Sequence, residues 1–420
     1  MIYGYATRYF TQSHMLFFEQ LPDAIRQYAE KLDLTRLKRN NSGNIFLTGP
    51  VSGFDCAILL SNVLKADGYR VGCFFPTARD LWAGDIRKMI YVNGSPLSKE
   101  DFLIHANAFR DLLSEMEPDI EQPLSPGARR LLFAGYVFTR LRCQICILDE
   151  TLYDPSDRET PFSSSLFSPV FTIVTGPGPS QSQDLSFPDR CLSASVNGST
   201  QVVISNLQQF FQSISKICSQ YNCQKRDTAR AQFLTDSHKV QATRFTYRGN
   251  GPFTVKALSQ SAWQDCMAVW DLLQAMNANG YQTDPAHFEQ ALPESHFLCG
   301  MTPLSVSPYV FLSRCYSSGD ALLLRKTLHF MVEHDIISGD ILVLCGPGAS
   351  RYPALSSDEI SCRTEAFPSM DHCSTPAQVM HASANALSDV LTRHPNTVIV
   401  CAGDLNYLTL VEKAYHHIKR

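Results

Sequence analysis

Residues 44–75 read NIFLTGPVSGFDCAILLSNVLKADGYRVGCFF, and this stretch decides the fold. The apolar run at 45–48 predicts a buried strand that leads into a loop beginning at Gly49. Residues 56–66 have helical periodicity, and Asp67-Gly68 is typical of a helix C-terminus. Residues 69–75 predict a second strand. The order strand, loop, helix, strand indicates a βαβ unit, and therefore a parallel sheet with a right-handed crossover.

The same alternation continues on both sides of a stretch rich in Pro, Ser and Gly at 293–308. We therefore predict an α/β protein of two domains, 1–298 and 299–420, with a mainly parallel sheet in each. Before the stretch we predict helices at 17–32, 99–116, 125–141, 207–221 and 263–277, strands at 144–148, 171–175 and 202–205, and a small antiparallel patch within 224–256. After it we predict strands at 309–312, 341–345 and 398–401, and helices at 320–334, 376–392 and 407–418.

Composition bounds the classes of protein to which this chain can belong. Its 420 residues are 44% hydrophobic and 18% charged, which favours a sizeable core and argues against general disorder. The formal net charge of -4 offers no electrostatic reason to expect nucleic acid or an anionic membrane as a partner. No apolar run has the length of a membrane span, and the N-terminus lacks the pattern of a secretory signal. We therefore expect a cytoplasmic protein.

The 14 cysteines are scattered, and most stand inside apolar runs. We predict that they are buried core thiols. Cys143 and Cys146 form a CxxC pair that could serve a redox or zinc site, but no second pair follows at zinc spacing. Residues 371–373, Asp-His-Cys, form a similar short cluster, which we interpret as a loop.

The loop at 49–56, GPVSGFDC, stands between a strand and its helix, where a phosphate-binding loop belongs. A working loop of that kind needs a Lys for the phosphates and a Ser or Thr for Mg²⁺, and the nearest downstream Lys is Lys65. Asp55 occupies the hydroxyl position. Two unit charges about 4 Å apart repel by roughly 1 kcal/mol in water and about 4 kcal/mol at a dielectric constant of 20. Asp55 could instead cap the helix or bind Mg²⁺ directly, and we favour the cap.

Several further motifs share one resemblance: GYRVG at 68–72, NGSPLS at 93–98, ICILD at 145–149, the helix predicted at 263, and GDL at 403–405. Together with the order of elements at 44–75, they resemble the folylpolyglutamate synthases, which share their architecture with the Mur ligases. The resemblance spans nearly the whole chain. It implies a central P-loop-type domain with a parallel sheet, followed by a smaller, Rossmann-like C-terminal domain.

The chain differs from that family at the residues that carry the family's chemistry. Gly49 matches, but the family's Lys position is Gly53 and its Ser position is Asp55. The magnesium-linked Glu aligns with Asp149, and only Asp157 matches in the segment that follows. The family's Asp-His pair, its carbamoylated Lys and its C-terminal Asp-Gly-Ala-His-Asn-Pro motif have no counterparts here, the last falling at 313–318. Loss at separate sites with the scaffold order intact suggests release from the ancestral reaction.

We therefore predict a degenerate ligase that binds or regulates, with an active paralogous ligase or another cytoplasmic protein as its partner. We assign it no catalytic residues, and the remnant of its phosphate loop comprises Gly49, Ser52, Gly53 and Asp55. The alternative is an active, ATP-dependent carboxylate–amine ligase that uses ATP and magnesium, with Asp149, Asp154 and Asp157 as candidate metal ligands. A third reading is an unrelated α/β protein with a small-molecule site between its domains.

Overall fold

The computed structural model describes most of the chain, and its ranges define the molecule below. They are residues 3–11, 22–34, 37, 43–49, 53–76, 85–116, 124–151, 163–175, 189–205, 211–228, 232–233, 243–257, 260–294, 301–306, 309–315, 318–333, 337, 339–346, 361–370 and 373–419. The chain divides into two compact units. The first unit is Met1–Thr228 with Cys266–Ala291, and the second is Ala229–Asp265 with Leu292–Arg420.

The first unit contains an eight-stranded sheet among its described residues. Its order is β4-β3-β2-β5-β1-β6-β7-β8, in which β3 and β4 pair antiparallel and the other strands pair parallel. The central strands are buried along their whole length, which explains their nearly continuous apolar sequences. The strands are β1 (Gly43–Thr48), β2 (Val71–Phe74), β3 (Ile90–Val92), β4 (Ser95–Pro96), β5 (Ile145–Asp149), β6 (Phe171–Val174), β7 (Val202–Ser205) and β8 (Gln224–Asp227).

Helices cover both faces of this sheet. They are α1 (Tyr3–Thr11), α2 (Pro22–Lys31), α3 (Phe54–Ala66), α4 (Lys99–Met116), α5 (Pro126–Arg140), α6 (Asp189–Ser195), α7 (Phe211–Tyr221), α8 (Gln260–Ala278, which crosses the division between the units) and α9 (Pro285–Ala291). Helix α3 ends as its sequence predicts. Gly68 has φ +89°, and the N–H groups of Gly68 and Tyr69 donate to the carbonyls of Lys65 and Leu64, which is a Schellman motif.

The second unit contains two sheets. The strands β9 (Gln232–Phe233), β10 (Thr243–Tyr247) and β11 (Asn250–Val255) form a small antiparallel sheet. The other sheet has the order β12-β13-β16-β14-β15, and only β12 pairs antiparallel. Its strands are β12 (Thr302–Val306), β13 (Tyr309–Arg314), β14 (Ile341–Cys345), β15 (Cys362–Ala366) and β16 (Val398–Gly403). Helix α10 (Ser318–Glu333) packs on one face, and α11 (Pro376–Arg393) and α12 (Leu405–Ile418) pack on the other.

The predicted fold class is confirmed: two α/β parts, each with a mainly parallel sheet, and an antiparallel patch near 224–256. The boundary predicted between 298 and 299 stays a prediction. Two predicted helices are shorter in the described residues, since α2 begins at Pro22 and α7 at Phe211. Every cysteine that the structure describes lies outside a disulfide, Cys146 is buried and Cys143 is partly exposed. In the described ranges no helix is both long and apolar enough to span a membrane.

Candidate phosphate-loop site

The candidate site begins where β1 ends. Gly49 follows that strand with φ +138°, a conformation that side chains with a Cβ rarely adopt. A Cβ at this position would also lie 2.0 Å from the carbonyl oxygen of Thr175, at the end of the neighbouring strand β6. Gly49 is therefore required by the backbone itself, independently of any bound phosphate. Ser52, the next residue of the predicted loop remnant, lies outside the described residues.

Gly53 is the N-cap residue of α3, and its surroundings close the start of that helix. Its N–H donates to the hydroxyl of Thr151 at 2.8 Å. The Thr151 hydroxyl in turn donates to Oδ1 of Asp149, which also accepts the Thr151 N–H at 3.1 Å. A Cβ on Gly53 would lie 2.9 Å from that same Oδ1 and 3.1 Å from the side chains of Leu47 and Thr151. A backbone donor at the helix N-terminus, the kind of group that binds phosphate, is thus already used within the protein.

Asp55 is buried at the second position of α3, with a relative exposure of 2%. Asp55 is not the N-cap residue itself, because α3 begins at Phe54 and its N-cap is Gly53. A carboxylate in the first turn still interacts favourably with the positive end of the helix dipole. It therefore adds negative charge where a bound triphosphate would need positive charge.

Asp149, predicted as a metal ligand, ends β5 and is buried. Its Oδ1 accepts the two hydrogen bonds from Thr151 described above. Asp154 and Asp157, the other candidate ligands, lie outside the described residues. No group of three or more His, Cys, Asp or Glu side chains suited to a metal occurs in the described part of the chain. The metal site of Asp149, Asp154 and Asp157 stays a prediction.

Glu150 and Thr151 were missed by the sequence analysis, which gave the family's acidic position to Asp149 alone. Glu150 is fully buried, and burial raises the pKa of its carboxyl to about 7, with a further rise from the charge of Asp149. The backbone N–H of Ser163 donates to its Oε1. The strand pattern could have separated the roles of these two acidic residues. Successive side chains at the end of a strand point to opposite faces of the sheet, so Asp149 and Glu150 have different surroundings.

The described residues differ from the phosphate loop that the resemblance to the folylpolyglutamate synthases implies. The family's Lys position carries no side chain, its hydroxyl position carries a carboxylate, and the Gly53 N–H is engaged by Thr151. Phosphoryl chemistry depends on positive groups placed at the phosphates. What the described site offers is a closed helix terminus with two buried carboxylates, Asp55 and Asp149.

Comparison with known proteins gives a likeness in structure alone. No protein-family profile and no curated protein sequence matches the chain. Folylpolyglutamate synthetase from Lactobacillus casei superposes with a TM-score of 0.69 at 14% identity, covering 100% of this chain and 99% of that one. A complex of FPGS with AMPPCP and folate gives a TM-score of 0.73 at 14% identity, covering 99% and 100%.

A third solved structure extends the likeness to a second organism. The bifunctional folylpolyglutamate synthase/dihydrofolate synthase of Yersinia pestis, in complex with AMPPNP and Mn ion, gives a TM-score of 0.67 at 14% identity. The match covers 99% of this chain and 97% of that one. Sequence identity at this level supports a shared architecture but not a shared reaction. The chain therefore has the two-part α/β fold of the folylpolyglutamate synthases.

Proposed function

We propose that this chain is a degenerate ligase of the folylpolyglutamate synthase fold, which has lost ATP-dependent turnover and acts as a binding or regulatory protein. The observation that carries the proposal is the closed start of α3. The Gly53 N–H bonds to Thr151, Thr151 bonds to Asp149, and the space beside Gly53 is filled to within 2.9 Å. This arrangement satisfies the Gly53 N–H without a phosphate.

The loss of groups that stabilise a transition state supports the same proposal. Removing one electrostatic stabiliser of a transition state costs about 10²–10³ in rate. Here the Lys and the hydroxyl are both replaced, by Gly53 and Asp55. Groups that act as a unit in catalysis lose most of their effect when one is gone. Ordinary ligase turnover therefore has no chemical basis in these residues.

Calorimetry with Mg-ATP tests the proposal directly. We expect no saturable binding in the micromolar range for the wild-type protein. In the double variant Gly53→Lys with Asp55→Ser, the Asp149 carboxylate must shift, because a Cβ at position 53 would lie 2.9 Å from its Oδ1. With that shift the variant should bind ATP at least tenfold more tightly, since each charge change contributes up to about 4 kcal/mol at 4 Å and a dielectric constant of 20. The matched control is Gly53→Gln with Asp55→Ser, which adds the bulk of a long side chain without its positive charge.

The repaired loop should still not restore ligation of glutamate to a folate. Acyl transfer also needs metal ligands and a placed amine, which two substitutions in the loop do not supply. The measurement is glutamate-dependent phosphate release by the double variant. Turnover at roughly one per second, a typical enzyme rate, would mean that only the loop was damaged.

The alternative, an active ligase with a rebuilt site, predicts the opposite calorimetric result. A low-micromolar dissociation constant for the wild-type protein, lost in Gly53→Gln, would support it and contradict our proposal. A regulatory role is tested separately, by adding the chain in equal amount to an intact ligase of this fold from the same cell. We expect a change in the rate of that ligase, and the heat-unfolded chain is the control.

A further inference from the structure

Two cysteines meet at the C-terminal end of α7, in the first unit. Asn222 follows the helix with φ +55°, and the N–H of Cys223 donates to the carbonyl of Cys218 at 3.0 Å. A backbone bond of this span, with a left-handed residue just before the donor, is a Schellman motif. In that motif the side chains of the two bonded residues commonly contact each other across the end of the helix.

The two side chains are placed as the motif predicts. Cys218 belongs to the buried cluster that joins α6 and α7 to β6 and β7, and Cys223 packs against that cluster. Their thiols are hydrogen-bonded to each other, and burial raises the pKa of the Cys218 thiol to about 12. Cys218 is 5% exposed, whereas Cys223 is partly exposed. Solvent therefore reaches one thiol, and the other lies directly behind it.

The backbone geometry suits a disulfide between these residues. The Cα atoms of Cys218 and Cys223 are joined through one carbonyl, one hydrogen bond of 3.0 Å and one N–Cα bond. That path spans at most about 7 Å, and a disulfide needs Cα atoms about 4.4–6.8 Å apart. The two sulfurs can therefore be joined without a large movement of the backbone.

We propose that Cys218 and Cys223 form a reversible disulfide, which makes the end of α7 a redox-sensitive modification site. The oxidant is a small-molecule disulfide such as oxidised glutathione. The Cys223 thiolate attacks one sulfur of the oxidant, which forms a mixed disulfide and releases one thiolate. The Cys218 thiolate then attacks the Cys223 sulfur, closes the bond and releases the second thiolate. Two protein thiols are oxidised, one disulfide is reduced, and the two protons of the cysteines pass to the released thiolates.

The disulfide would fasten the last turn of α7 to the start of β8. Gln224 begins that strand directly after Cys223, and β8 is the last strand in the order of the eight-stranded sheet. A disulfide that fits the folded geometry stabilises the folded chain, and the folded chain favours the disulfide to the same extent. Neither step of the exchange uses a nucleotide, so this site does not depend on the function proposed above.

Titration of the full chain with oxidised glutathione, at a fixed concentration of reduced glutathione, tests this site. After quenching and alkylation, trypsin releases residues 217–225 as one peptide, because it cleaves after Lys216 and Lys225. The disulfide form of this peptide lacks two hydrogen atoms and takes no alkyl group. We expect the folded chain to reach half oxidation at a concentration of oxidised glutathione at least about tenfold lower than the urea-unfolded chain. Equal midpoints would overturn the proposal, because the fold would then not hold the two thiols together.

The chain contains its own matched control. Cys143 occupies the same position after α5, where Arg142 has φ +55° and the N–H of Cys143 donates to the Phe138 carbonyl at 2.9 Å. Cys143 is partly exposed like Cys223, but Phe138 stands where α7 has Cys218. The peptide that carries Cys143 should therefore gain at most a mixed disulfide with glutathione. A loss of two hydrogen atoms there at the same midpoint would contradict the proposal, because the paired thiols of α7 would then confer no advantage.

Two variants test the order of attack. In Cys218→Ala, Cys223 should stop as the mixed disulfide with glutathione, and an unmodified Cys223 would contradict attack by this residue. In Cys223→Ser, which keeps the size of the partly exposed side chain, the buried Cys218 should remain a thiol. Modification of Cys218 in this variant to the extent seen in the wild-type protein would overturn the proposed sequence of steps.

Discussion

Replacing Thr151 by Val probes the hydrogen bonds that close the start of α3. The change keeps the shape of the side chain and removes only its hydroxyl. The buried Gly53 N–H then has no acceptor at 2.8 Å, and Asp149 loses a donor to its carboxylate. A buried unsatisfied group costs about 1–3 kcal/mol, and a hydrogen bond to a charged group contributes about 1.5–3 kcal/mol. Because the two effects share one hydroxyl, we expect a loss of about 2–4 kcal/mol in the free energy of unfolding.

The assay is urea unfolding followed by amide hydrogen exchange at α3 and β5, because a chain of two units need not unfold in a single transition. Thr172→Val is the matched control, because Thr172 is an equally buried threonine in the same sheet. Its hydroxyl makes one bond to a neutral carbonyl, so it should cost about 1 kcal/mol. If Thr151→Val costs no more than this control, the closed arrangement at Gly53 does not exist as described, and the main support for a degenerate loop is lost.

Three further substitutions test other parts of the structure. Gly49→Ala should destabilise the first unit by more than about 2 kcal/mol in urea unfolding, because its Cβ would meet the Thr175 carbonyl at 2.0 Å; an unchanged midpoint would contradict this. The contribution of Glu150 to the unfolding free energy should fall by on the order of 3 kcal/mol between pH 4.5 and 7, since folded Glu150 keeps its proton up to about pH 7 and the unfolded chain loses it near 4.5. Glu150→Gln should flatten that pH profile, and a slope that persists would assign it to other groups. Tyr407→Phe should cost about 1 kcal/mol, because the phenol donates to the Leu344 carbonyl at 3.0 Å, and a neutral result would mean that this bond contributes nothing net.

The candidate site could be predicted only in part from the sequence. A glycine after a buried strand and before a helix locates the loop, because this arrangement is local, and the missing Lys and hydroxyl are read directly at Gly53 and Asp55. The partner of the Gly53 N–H could not be found in this way. Thr151 is 98 residues away, and only the pairing of β1 with β5 brings it to the start of α3.

The sequence by itself determined the class of fold, because alternating strand and helix patterns leave few ways to bury apolar faces other than a parallel sheet covered by helices. The resemblance to the folylpolyglutamate synthases also predicts which residues stand at that family's catalytic positions. Only the tertiary structure decided what these residues contact. Asp149 and Glu150 are neighbours with the same chemistry in the sequence, yet one closes the helix at Gly53 and the other faces Ser163. The direction of each side chain depends on the register of β5 in the sheet, and that register is set by contacts between residues far apart in the chain.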